Sequence, residues 1–133
     1  MHRLILIIVL LLGGCVSYTY DISDRPPYSE VGVGPARTTN SLNLYRVSGS
    51  GGSSFRPYVL SSDIIRNSEN PLALVRTFPA GSEVRIQKIF RESAPDGYLW
   101  DFVFGTILVD GAEFEFETNL GLSDAPRPMP FQK

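Results

Sequence analysis

The chain has 133 residues, with 12 Lys plus Arg against 14 Asp plus Glu, and is 43% hydrophobic and 20% charged. That length holds one small domain, and the balance of residues is globular rather than disordered or fibrous. A formal charge of -2 and a pI near 5.3 argue against nucleic acid as a partner, because phosphate binding needs clustered Lys and Arg.

Met1, His2 and Arg3 open the chain with positive charge, and residues 4–12 follow as nine consecutive Leu, Ile or Val. As a helix this run reaches ~14 Å against a hydrocarbon core of ~30 Å, so it is too short to span and has the length of a signal-peptide core. It ends in Leu12-Gly13-Gly14-Cys15, which resembles the lipobox of bacterial lipoproteins. The resemblance implies that residues 1–14 are a signal peptide cut before Cys15. It further implies S-diacylglyceryl and N-acyl chains on Cys15, palmitate among them, that hold the protein to the membrane. With Val16 rather than Asp after the cysteine, it implies a place in the bacterial cell envelope, in the outer membrane facing the periplasm.

Cleavage would leave Cys15 to Lys133, 119 residues with neither histidine nor a free thiol, since His2 is the only His and Cys15 the only Cys. Nucleophilic catalysis through an imidazole base is then excluded, as are zinc, copper, haem and iron–sulfur sites and any disulfide. No cofactor is expected. Carboxylate chemistry, hard-cation binding and plain binding survive.

Residues 15–35 carry Pro26-Pro27 and Gly32-Val33-Gly34-Pro35 and read as an extended, lipidated spacer. Residues 36–122 read as an all-β body, a small antiparallel SH3-like barrel or two-sheet β domain. Strands are predicted at 38–47, 55–60, 72–78, 83–91, 98–109 and 112–120, with one helical turn at 62–66 and a flexible Ser/Gly loop at 48–54. Asp110-Gly111 between aromatic and β-branched runs predicts a type I′ hairpin pairing Val109 with Ala112 and Ile107 with Phe114. A bulge at Gly105 is expected to bring Phe104 opposite Phe116, Phe102 opposite Thr118 and Trp100 opposite Leu120. Trp100 with Phe102, Phe104, Phe114 and Phe116 is expected to supply most of the core. Residues 123–133, with Pro126, Pro128 and Pro130, read as a loose Pro-rich tail.

The stretch 79–100 holds Pro79-Ala80-Gly81-Ser82 before Val84-Arg85-Ile86, then Trp100 on the next strand. It resembles the small SH3-like barrels of bacterial extracytoplasmic proteins, which supports the fold and transfers no binding residue.

Three groups offer chemistry. Glu113, Glu115 and Glu117 line one face of a strand, as a Ca²⁺ or basic-partner site would and as the solvent face of an antiparallel strand does. Asp96, Asp101 and Asp110 lie near turns, where paired carboxylates would serve glycoside hydrolysis and where Asp also bonds turn backbone. Tyr45, Tyr58, Tyr98 and Trp100 would form a peptide or glycan platform unless the core takes them. The preferred reading is a non-enzymatic, membrane-anchored binding or structural module contacting an envelope protein or glycan. A periplasmic immunity-type inhibitor of a toxin and a carboxylate-based hydrolase are the alternatives.

Overall fold

The computed structural model describes residues 18–47, 57–63 and 72–133, with Leu72 described for its backbone only. The expected signal peptide, Cys15, the expected Ser/Gly loop at 48–54 and most of the turn expected at 62–66 lie outside the described residues. The described chain is all-β: β1 (Thr19–Asp21), β2 (Gly34–Thr38), β3 (Leu42–Val47), β4 (Tyr58–Ser61), β5 (Leu72–Phe78), β6 (Glu83–Ser93), β7 (Leu99–Val109), β8 (Ala112–Leu122), β9 (Ala125–Pro126) and β10 (Phe131–Gln132). No α-helix occurs among the described residues, and one 3₁₀ turn lies at Tyr28–Glu30.

All ten strands join one sheet in the order β10-β2-β6-β7-β8-β4-β3-β5, with β1 beside β6 and β9 beside β8. The expected strand at 38–47 is divided between β2 and β3, and a corner separates them. The Gly34↔Ile86 register of β2 and β6 continues unchanged into Leu42↔Phe78 of β3 and β5. The two segments are therefore one long antiparallel pair, bent at 39–41 and 79–82, and the bend curls the sheet into a half-barrel. Thr38, 1% exposed, pins the corner. Its backbone N–H bonds the Ser82 carbonyl at 2.9 Å, its carbonyl accepts the Gly81 N–H at 2.7 Å, and its hydroxyl reaches the Pro79 carbonyl at 3.1 Å.

The hairpin between β7 and β8 has positive φ at both Asp110 (51°) and Gly111 (83°), as a type I′ turn requires. Val109 faces Ala112 and Ile107 faces Phe114. The bulge is not at Gly105. Phe104 faces Glu117 and Gly105 faces Phe116, and the register slips only between Asp101 and Phe102, where Leu120 is the extra residue on β8. Beside Gly105 the irregularity sits on the neighbouring strand β6, at Gln87. Glycine serves a different purpose at 105. A Cβ there would stand 2.7 Å from the Arg85 carbonyl and 2.7 Å from the fully buried Phe116 ring.

This register corrects the expected core. Trp100, Phe102 and Phe104 project from the outer face and are half-buried, and Phe114 is packed against the core edge. Of the five aromatics expected to fill the interior, Phe116 alone is fully buried. The core is mainly aliphatic, with Leu42, Leu44, Leu60, Ile86, Ile89, Val103, Ile107 and Leu120.

The rest comes from the two segments expected to be loose. Ile22, Tyr28 and Val31 from the expected spacer are buried, and β1 pairs with the last third of β6. At the other end, Phe131 is 2% exposed against Phe116, and β10 pairs with β2. The folded body thus runs beyond 36–122 in both directions, because the open side of a curled sheet must be filled by apolar side chains.

Candidate functional site

β7 is apolar on both faces, so its outer face carries aromatics as well. Phe90 stacks on Phe102 with centroids 5.3 Å apart and meets Phe104 at 4.4 Å, while the Lys88 ammonium lies 5.3 Å from the Phe90 ring centre. Alternation along β7 puts Trp100 next in this row, opposite Glu92 on β6. A recess of about 410 Å³ opens there, lined by Glu92, Pro95, Trp100, Phe102, Glu117 and Asn119. The Asn119 side-chain oxygen accepts the Gly121 N–H at 2.7 Å, which leaves its amide nitrogen as a donor. The recess combines aromatic walls, the Glu92 carboxylate as an acceptor and one amide donor. That set suits a sugar ring or an extended peptide, whose apolar faces stack and whose hydroxyls or amides bond at the rim.

The carboxylates expected near turns are not brought together. Asp96 accepts the Tyr98 N–H at 3.1 Å within its own turn, and Asp110 pairs with Arg76 at 2.9 Å at the far end of β7. Asp101 alone is buried, at 1% exposed, and it faces the core. Arg91 clasps it with two bonds of 2.8 and 3.1 Å, and the Tyr28 and Ser123 hydroxyls each donate at 2.7 Å. An ionised carboxylate offers about four acceptor positions, and here four donors occupy them. Burial pushes the Asp101 carboxyl up, but the bonds from Arg91, Tyr28 and Ser123 outweigh it and hold the group below the ordinary carboxylate range. Burial and the adjacent Asp101 push the Tyr28 hydroxyl well above its usual value. From the sequence Asp101 reads as a residue near a turn, and nothing adjacent along the chain marks Tyr28 and Arg91 as its partners.

Glu113, Glu115 and Glu117 alternate along the outer face of β8, opposite Leu108, Thr106 and Phe104. Among the described residues no three acidic groups converge as metal ligands would. Tyr45 is buried and bonds the Asp63 carbonyl, Tyr58 packs edge-on to Phe114 at 4.9 Å, and Tyr98 is exposed. The expected platform therefore divides: Trp100 stands in the recess, while Tyr45 and Tyr58 belong to packing. Compared with protein families, curated proteins and solved structures, the chain shows no match.

Proposed function

We propose that this protein is an envelope lipoprotein, held to the membrane through acyl chains on Cys15 and acting as a non-enzymatic binding module. Its contact surface in this reading is the recess around Trp100, and its partner is an envelope protein or glycan. The position of the lone tryptophan carries the reading. A domain this small gains most from burying its largest side chain, yet Trp100 is only partly buried, on the outer face of β7 in a recess with the Glu92 carboxylate and the Asn119 amide at its rim. The saturation of Asp101 supports a binding role over hydrolysis. The lipobox and Val16 support anchorage in the outer membrane, facing the periplasm. The β6–β7 hairpin, on which the SH3-like resemblance rests, supports a place among such barrels.

Two variants of the full-length lipoprotein test the two halves. Trp100→Ala is expected to lose about 1–2 kcal/mol of stability, below the ~3–5 kcal/mol of a fully buried tryptophan. It should also lose capture of peptidoglycan fragments or solubilised envelope proteins that the parent retains. An unchanged capture profile in a folded Trp100→Ala protein would overturn the site. Cys15→Ser should abolish labelled palmitate incorporation and release the protein from membranes, because acyl burial contributes about 0.8 kcal/mol per CH₂. A serine variant that still incorporates palmitate would overturn the anchor.

A further inference from the structure

The chain has six tyrosines. Tyr28 and Tyr45 are buried and Tyr58 is half-buried, whereas Tyr18, Tyr20 and Tyr98 are 60%, 42% and 57% exposed. The three exposed rings share one end of the molecule. Tyr18 and Ser93 are joined by a 2.9 Å bond from the Ser93 N–H to the Tyr18 carbonyl, and Tyr20 faces Arg91 across β1 and β6. Tyr98 closes the turn between β6 and β7, where its carbonyl accepts the Ala94 N–H at 2.8 Å. β1 enters the sheet at this same end, and only Val16, Ser17 and Tyr18 separate Cys15 from Thr19. Four fully extended residues span at most ~14 Å.

We infer that the end of the molecule bearing Tyr18, Tyr20 and Tyr98 lies against the headgroup region of the bilayer that receives the acyl chains of Cys15. The inference rests on the lipoprotein reading above and adds an orientation to it. Lipid on Cys15 would bring this end to the membrane because the connecting chain is too short for a free stalk. Tyrosine suits that depth, with an apolar ring and a polar hydroxyl that stays hydrated. The contact has no cluster of positive charge, since Arg91 beside Tyr20 is paired with Asp101 and Glu92 and Asp96 are acidic. Residues 16–20 carry no charge, and the turn 93–99 has Asp96 and neither Lys nor Arg. Attraction to anionic lipid is therefore not its basis, and salt should leave it intact. The Trp100 recess opens close to this turn, through Ala94 and Pro95, so its occupant would be bound near the lipid surface.

Because the Cys15 sulfur would carry lipid, one introduced cysteine gives a unique labelling position. The full lipoprotein is reconstituted in phosphatidylcholine vesicles with a nitroxide on Asp96→Cys or on Glu113→Cys. Asp96 precedes the start of β7 and Glu113 faces Leu108 near its other end, so the two are separated by most of the length of a strand that spans at most ~33 Å when fully extended. The expected result is a several-fold fall in nickel-chelate accessibility at 96 on passing from detergent to vesicles, at low and high salt alike, with none at 113. Serine at 18, 20 and 98 together should restore access at 96 while flotation with vesicles persists. Equal access at 96 and 113 in floated protein would overturn the orientation alone. Shielding at 96 already present in detergent would also overturn it, in favour of contact between protein chains. Protein that carries no lipid and fails to float would overturn the anchor, and the orientation with it.

Discussion

Asp101 joins three parts of the chain that are distant in sequence. Tyr28 comes from the N-terminal segment, Arg91 from β6 and Ser123 from the residue after β8, and each donates to the one carboxylate. A buried charge without partners is costly, so the group tolerates burial only while these donors are in place. Asp101→Asn keeps the shape but removes the charge that holds Arg91. We expect a loss of about 2–4 kcal/mol at pH 7, toward the lower part of that range because Arg91 is partly exposed. The native carboxyl titrates below its unfolded value. Its contribution is therefore full above the unfolded value near pH 4 and is lost as the pH falls through the native one. Urea midpoints at pH 7 and pH 3 should show the gap between parent and variant narrowing in acid. A gap independent of pH would refute the assignment.

At the scale of strands, the β7–β8 pair shows how much of its register is local. The turn residues and first pairs follow from Asp110-Gly111, because a two-residue type I′ loop leaves no freedom in the adjacent rungs. Which face of β7 turns inward was not legible. Leu99, Trp100, Phe102, Val103, Phe104, Ile107 and Leu108 place apolar groups on both faces, so a period of two points neither way. Burying the β7 aromatics would need a bulge at Gly105, which the strand does not have. The molecule instead turns Val103, Gly105 and Ile107 inward and accommodates Asp101 beside them with Arg91. Gly105 marks where the Phe116 ring lies against bare backbone. Gly105→Ala should cost about 1–3 kcal/mol, since neither a strand carbonyl nor a fully buried ring yields easily. Thermal melting checks this, and an unchanged transition would mean that Phe116 has room to move.

Over the whole molecule, closure of the core depends on the two ends of the described chain. Phe131, on the last strand, is buried against Phe116, while β10 extends the sheet beyond β2. Phe131→Ala should cost about 3–5 kcal/mol, a large share of the ~5–15 kcal/mol typical of such a domain. A loose tail would cost nothing, and urea unfolding followed by Trp100 fluorescence distinguishes the two. By itself, the sequence determined the β class, most strand positions and the hairpin turn, because each is written in residues adjacent along the chain. It also excluded imidazole chemistry from any chain beginning at Cys15, by composition alone. Tertiary structure alone decided that Trp100 faces outward and that Asp101 is enclosed. It likewise decided that the expected spacer and tail fill the core. Those outcomes depend on which apolar faces meet when the sheet curls, and Ile22, Tyr28 and Phe131 carry no local mark of the sheet they close.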